Sequence, residues 1–436
     1  MIPVPTRRLA ALAALAAVVL IPLSLPVGTG LLVVNGALLF AALVDVVLAA
    51  PPDSIAVERE LPGVLALGAE SQVCWRVRNP RSRSIRVAVA DELASSLRPG
   101  VRRFRMTVPA HATGQARTTI RPARRGRFDV TELVVRSTGP LGLASRQRAR
   151  EMPSSLRVYP PFRSREEAEL RINKARLLEV GLRSAQGRGG GTDFDQLREY
   201  SVDDEFGRID WSATARSDKA IVRTYRAERN QTVLLLLDNG RVMAGRVDDV
   251  PRVEHAMDAV MMLTAVATRL GDRTGLVAFD RQVRAVVPPA QGRDQLTRVT
   301  EAMYRLEPVL AESDYQGAFT ETLARFRRRT MLVIFTELVE QAVGESLLPA
   351  LPLILRNHLV VVAAVQDPDV VRWAKEVPVD ASAAYRQAAA VSALDERART
   401  VARLRGLGAT VVDEPPGELA PKLADTYLKV KATGRL

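Results

Sequence analysis

The chain has 436 residues, 47% hydrophobic and 25% charged but only 5% aromatic, which is enough apolar material for two or three cored domains and excludes a wholly disordered chain. A single cysteine, Cys74, excludes a disulfide scaffold, a Cys-rich zinc domain and a CxxC redox pair, and the three scattered histidines, His111, His255 and His358, argue against a His-rich metal site. Net charge is +13, from 62 Lys+Arg against 49 Asp+Glu, and nearly all of the excess lies in residues 51–160, with 20 arginines, no lysine and 9 acids.

At the N-terminus, Leu9 to Val27 is apolar apart from Pro22, Ser24 and Pro26, and Leu31 to Ala50 is a second apolar run containing Asn35 and Asp45. Each approaches the roughly 20 residues that carry a helix across a bilayer. Only Gly28-Thr29-Gly30 separates them, so residues 1–50 predict a two-helix transmembrane hairpin turning at those three residues. A cleaved signal peptide fits worse, because a second apolar run follows at once. Arg7 and Arg8 precede the first run, and Arg59 with the Arg-rich segment follows the second, leaving an uncharged tip between positive ends. The positive-inside rule then puts the chain in the inner (plasma) membrane with its soluble domains in the cytoplasm, where a free Cys74 is at home. Asp45, about one turn from the end of the second run, is expected to be an interfacial residue at the headgroups.

Residues 51–160 predict a small all-β, sandwich-like domain. Val73 to Arg78, Ile85 to Val89, Thr118 to Ile120 and Leu133 to Val135 are short alternating or β-branched runs punctuated by Pro, Gly and Asn79-Pro80. Their arginines are read either as a soluble face or as an attraction to anionic lipid, worth about 1 kcal/mol per residue near the surface. Nucleic acid is not an expected partner: Trp75, Phe104, Phe128 and Tyr159 are too few for stacking platforms, and there is no reading helix.

Residues 161–230 join the soluble domains and hold the most distinctive stretch. It runs Gly187 to Thr192, then Asp193, Phe194, Leu197, Arg198 and Tyr200, then Asp203 and Asp204, then Arg208, Asp210, Trp211 and Arg216. The glycines lack the Gly-Lys-Ser/Thr of a phosphate loop and follow no apolar strand. The interleaved charges read as an ordered loop held by ion pairs, with catalysis as the lesser alternative. Trp211, apolar among charges, is expected to be buried, so that Trp211→Ala would cost about 3–5 kcal/mol.

From 231 to 436, apolar strand runs alternate with helical spacing. The strands are Thr232 to Leu237, Gly275 to Phe279, Val283 to Val287, Met331 to Phe335, Leu359 to Val365 and Ala409 to Val412. The helices are Val253 to Leu270, Leu296 to Leu306, Ala318 to Arg328, Ala383 to Leu404 and Leu419 to Val430. The alternation implies a doubly wound α/β sheet whose site lies beyond the carboxyl ends of its central strands.

The run Gly-Thr-Asp-Phe-Asp-x-Leu-Arg-x-Tyr with its Arg-Ile-Asp-Trp continuation resembles the signature of the bacterial domain of unknown function 58 family. Asp203 replaces the family's usual Gly and Gly207 its usual Arg. The resemblance implies a membrane hairpin, a β-rich segment and a von Willebrand factor A-like domain, often encoded beside a MoxR-type AAA+ ATPase. It also implies a metal-ion-dependent adhesion site, Asp-x-Ser-x-Ser, after the first α/β strand. Here that site is degenerate: Asp238 is followed by Gly240 and Val242 where serines are usual, with Arg241 between them. Two later loops align as Ser313 to Ala318, offering Asp314, and Phe335 to Leu338, offering Glu337. Two lost oxygen ligands and a nearby cation predict no resident cofactor and at most weak Mg²⁺ held through waters. Serines at 240 and 242 are expected to restore affinity if the three loops keep their geometry.

The function expected is a membrane-anchored, cytoplasm-facing protein-interaction module, working with a MoxR-type ATPase in assembly or maturation of other proteins, and not an enzyme. A hydrolase built on the charged signature loop is the alternative, although no nucleophile poised by a base is visible. Metal-dependent adhesion, the third reading, conflicts with the cytoplasmic topology.

Overall fold

The computed structural model describes residues 2–20, 27–185, 193–201, 204, 206–226 and 231–433. The chain divides into two compact units, Met1–Tyr159 and Pro160–Leu436.

The first unit opens with strand β1 (Ile2–Pro5), then helices α1 (Arg7–Leu20) and α2 (Val27–Leu48). Among the described residues one helix is long and apolar enough to cross a membrane, over Gly28–Ser54. Gly28, Thr29 and Gly30 lie inside α2, so the turn expected there is absent. Proline cannot extend a helix interior, and Pro22 and Pro26 precede this helix. Residues 21–26 lie outside the described residues.

Eight strands follow: β2 (Ala56–Glu60), β3 (Val64–Ala66), β4 (Ser71–Arg78), β5 (Ile85–Asp91), β6 (Arg103–Val108), β7 (Thr113–Ile120), β8 (Gly126–Thr138) and β9 (Ala144–Tyr159). They form one sheet ordered β1-β9-β8-β5-β6, with β3 also on β9, and a second ordered β2-β4-β7. Period-two alternation decides which side chains go inward. Val73, Trp75 and Val77 from one sheet share a core with Val87, Val89, Val135 and Leu156 from the other. Trp75 donates to Asp91 at 2.6 Å, and Asp91 also pairs with Arg59 at 2.7 Å, so the indole N–H and the carboxylate placed in this core are matched.

Asp45 is turned into the protein. It is 0% exposed. Its carboxylate accepts the backbone N–H of Leu141 at 2.7 Å, Leu143 at 2.7 Å and Ala144 at 3.0 Å. The β8–β9 loop presents amides that no strand satisfies, and a carboxylate is the side chain able to collect several at once. Thr6, just before α1, donates to Gly142 O of the same loop at 2.6 Å. Gly139 needs to be glycine here: a Cβ would stand 2.3 Å from the Asp45 carboxylate.

In the second unit, α3 (Arg165–Ala185) precedes a hairpin of β10 (Asp193–Glu199) and β11 (Ile221–Arg226), whose connection contains α4 (Trp211–Ser217). Then come β12 (Thr232–Asp238), α5 (Arg241–Ala244), β13 (Arg246–Val247), β14 (Val250–Pro251), α6 (Arg252–Arg269), β15 (Arg273–Phe279), β16 (Val283–Ala290), α7 (Asp294–Met303) and α8 (Tyr315–Arg325). The remainder is β17 (Met331–Phe335), α9 (Glu340–Ala342), α10 (Leu348–Leu355), β18 (Leu359–Val365), α11 (Pro368–Lys375), α12 (Ala381–Gly406), β19 (Thr410–Glu414) and α13 (Leu419–Ala432).

The main sheet runs β16-β15-β12-β17-β18-β19, parallel throughout except for the antiparallel edge pair β15–β16. Central β12 is apolar on both faces because helices cover both. Val233, Leu235 and Leu237 pack on Met257, Val260 and Leu423 from one side. Leu234 and Leu236 pack with Phe319, Leu351 and Leu404 on the other.

Candidate functional site

From β12 the chain passes to β15 on one side and only later to β17 on the other. Connections leave in opposite directions at that point, opening a crevice at the carboxyl ends of the strands. Asp238, the last residue of β12, stands at this switch point and is 0% exposed.

Its four short contacts are all protein donors. One carboxylate oxygen accepts Ser313 Oγ at 2.5 Å and Gly240 N at 2.8 Å. The other accepts Tyr315 OH at 2.7 Å and Thr336 Oγ1 at 2.7 Å, and those two hydroxyls lie 2.8 Å apart. The Tyr315 ring is fixed edge-on against Phe279 and Phe319. Burial pushes the Asp238 carboxyl up from its ordinary range, while Ser313, Tyr315, Gly240 and Thr336 pull it back by hydrogen bonding to the charged form. Burial, followed by the adjacent carboxylate, raises the Tyr315 phenol.

The two later loops do meet Asp238, but through neighbours of the residues expected from sequence. Ser313 and Tyr315 face it, whereas Asp314 between them caps α8 by accepting Gly317 N at 2.8 Å. Thr336 faces it, whereas Glu337 turns to Arg252 at 3.0 Å and to Arg397. Arg397 also forks onto Asp413 at 2.8 and 2.7 Å, and Arg252 lies 3.9 Å from Asp367. Burial works against the charge of Arg397, yet Asp413 and Glu337 outweigh it and keep the group protonated. Arg241 pairs at 2.5 Å with exposed Glu312, not with an acid of the cluster. Val242 packs against the core of the α6 face.

Gly240 has no room for a side chain: a Cβ would stand 2.1 Å from Ser313 Oγ and 2.9 Å from Ala311 O. A serine at 240 therefore does not fit unless Ser313 moves. The oxygens gathered at Asp238 carry a single formal charge, and hard cations are held tightly by several carboxylates or carbonyls. Among the described residues, no three His, Cys, Asp or Glu side chains are grouped as metal ligands would be. Ser313, Tyr315 and Thr336 were visible in the sequence only as hydroxyls beside the acids, and no spacing rule selects them.

The signature stretch folds as strand, turn, short helix and strand. Residues 186–192, with the glycine run, and Asp203 lie outside the described residues, as do the side chains of Asp193, Phe194 and Arg208. Arg198 forks onto Asp204 at 2.8 and 2.6 Å, and Tyr200 N bonds Ala220 O at 2.8 Å across the hairpin. Asp210 caps α4 by accepting Ser212 N at 3.0 Å and Ala213 N at 3.1 Å. It also pairs with Arg223 at 2.7 Å, which, ahead of the Ala213 amide, holds its carboxyl below the usual range. Lys219 pairs with Glu199 at 2.5 Å, and Arg216 donates to Ser212 O at 3.1 Å. Arg223 and Lys219 escaped sequence reading because they belong to the returning strand and its turn.

Trp211 is not buried. It is 61% exposed and stacks edge-to-face with Phe206, itself 68% exposed, at 5.7 Å between ring centres. Position explains this: Trp211 is the first residue of α4, whose buried side is supplied by Ala213. Leu197, on β10, is also exposed.

A doubly wound α/β sheet with a buried carboxylate at its switch point defines the class of the second unit. Residues 196–390 match the family described as "Protein of unknown function DUF58", in agreement with the resemblance of the signature. Among solved structures, the chain is similar to the conserved hypothetical protein BatB from Bacteroides thetaiotaomicron, at 13% identity and a TM-score of 0.32, covering 47% of this chain and 99% of that one. The comparison with curated proteins gave no match.

Proposed function

We propose that the protein is a membrane-anchored module that docks another protein through the signature hairpin of its second unit. The observation that carries this reading is the Phe206–Trp211 pair. Two large rings held in contact, mostly in solvent, are costly to leave uncovered, and aromatic residues dominate binding energy where they are buried by a partner. The ion pairs Arg198–Asp204, Asp210–Arg223 and Glu199–Lys219 belong to the same hairpin and would form a polar rim.

The second unit is read as von Willebrand factor A-like, supported by its strand order and by the position of Asp238. Its metal-site position acts as a hydrogen-bonded strut between three loops, without a resident cofactor, and the unit works by docking and not by catalysis. Supporting this, every short contact of Asp238 is taken by Ser313, Gly240, Tyr315 or Thr336. The first unit is the anchor. Thr6 and Asp45 both bond the loop of residues 139–144, which supports a hairpin with both ends on one side of the membrane, here the cytoplasmic side. The resemblance to the family points to a MoxR-type AAA+ ATPase as the partner, in assembly or maturation of other proteins.

The test is binding of a MoxR-type AAA+ ATPase to the full chain in detergent. Phe206→Ser with Trp211→Ser should weaken binding about tenfold or more, whereas chelator should leave it unchanged. Equal binding by the double variant would sink the proposal.

A further inference from the structure

We propose that the collar around the end of α2 is a seat for anionic phospholipid headgroups, with Leu141 as the side chain that enters the acyl boundary. This rests on the reading that α2 crosses a bilayer.

Three arginines converge at this level. Arg83 donates to Leu48 O, the last residue of α2. Arg86 donates to Gly139 O and, at 2.7 Å, to Pro140 O. Arg8, in the first turn of α1, brings Nη1 to 3.2 Å from where a Cβ on Gly142 would stand, and Arg86 Nη1 lies at the same distance. The acceptors of Arg83 and Arg86 are neutral carbonyls, so these guanidiniums are positioned but not neutralised. Each has five N–H donors and spends one or two. Among the described residues, none of the three is paired with a carboxylate. The collar's acids are committed elsewhere: Asp45 is buried on three backbone amides, and Asp53 pairs with Arg148.

The loop carrying Leu141 is tied down on both sides, by Asp45 and by Thr6, yet Leu141 is 53% exposed. A fixed loop that holds a leucine outward, with Arg86 on its carbonyls, Arg8 beside its Gly142 and Arg83 at the end of the apolar span, matches the order of chemistry in a monolayer. Acyl chain comes first, then phosphate, which guanidinium binds through parallel N–H donors. The ligand is a lipid phosphodiester bearing net negative charge, such as phosphatidylglycerol.

The test uses the full chain carrying Cys74→Ser and Leu141→Cys labelled with an environment-sensitive fluorophore, reconstituted in vesicles of phosphatidylcholine with or without phosphatidylglycerol. Brominated versions of each lipid serve as quenchers. The probe should emit as in an apolar medium and be quenched more by brominated phosphatidylglycerol. Arg8→Gln and Arg83→Gln should each reduce that preference about fivefold, the factor expected for one charge near an anionic surface. Equal quenching by the two lipids, or a preference unchanged in both variants, would overturn the seat. Loss of the preference in millimolar inorganic phosphate would also overturn it, assigning the arginines to free anions. Alkaline extraction separates the two readings: a chain washed off the vesicles refutes the membrane span, whereas a chain that stays without lipid preference refutes the seat alone.

Discussion

Asp45 and Asp238 are both 0% exposed, one in each unit, and each joins segments far apart in sequence. They are satisfied by different chemistry. Asp45 collects three backbone amides of one loop, donors that no side-chain change short of proline removes. Asp238 takes one amide and three side-chain hydroxyls drawn from two other loops. The first arrangement is a clasp that any change of the carboxylate breaks. The second is a set of exchangeable contacts, each of which a single mutation can remove or retune.

The largest effect is expected at the clasp. Asp45→Ala leaves three amides without their acceptor and should destabilise the first unit by about 3–5 kcal/mol. Thermal unfolding of the detergent-solubilised chain and proteolysis within residues 139–144 would report it, and a cost below about 1 kcal/mol would show that Asp45 is not what holds the loop. At the other carboxylate, Gly240→Ser forces a Cβ onto Ser313 Oγ and should cost about 1–3 kcal/mol by overpacking. It should not raise Mg²⁺ affinity, and a gain of tight cation binding on calorimetry would refute this account of the three loops.

Asp238→Asn probes the same contacts through pH. Burial raises the folded-state pKa of Asp238 above its unfolded value. Between those two values the native state binds more protons than the unfolded one, so wild-type stability falls as pH rises, by at most about 1.4 kcal/mol per unit. Asparagine cannot ionise, so the variant should gain on the wild type as pH increases through that window and hold a constant difference above it. A difference in melting temperature that does not vary with pH would contradict this. The smallest effect is expected for Trp211→Ala. An exposed ring on the first turn of a short helix should change stability by no more than about 0.5 kcal/mol, and a loss of several kcal/mol on denaturation would restore a core role for Trp211.

Where periodicity alone fixes structure, the sequence was legible. Thr232 to Leu237, Met331 to Phe335 and Leu359 to Val365 are apolar runs without polar interruption, and helices on both faces are the arrangement that buries them. The alternation of Ile85 to Val89 placed its side chains in the same way. Helix α3 was missed because its residues are dominated by charge, and α11 because it buries no side chain of its own. At the site, Asp238 was legible from its place after a central strand. Its partners were not, because adjacent residues of a loop point in different directions and only the backbone decides that Ser313 and Thr336, rather than Asp314 and Glu337, turn inward. The clasp left no trace in the sequence: its donors are main-chain amides 96 to 99 positions from Asp45.

The edge strand β1 has a mechanical consequence. Only Thr6 separates it from α1, and its four residues are laddered antiparallel to β9 from Ile2↔Gln147 to Pro5↔Ala144. A pull on α1 along that strand loads the ladder in shear, so its hydrogen bonds resist together and do not open one after another. A pull on α2 reaches the same end of β9, at Leu143 and Ala144, through Asp45. Tension on either helix is thus delivered to one corner of the large sheet, and a fusion or truncation that disturbs Ile2–Pro5 would uncouple one of the two lines of force.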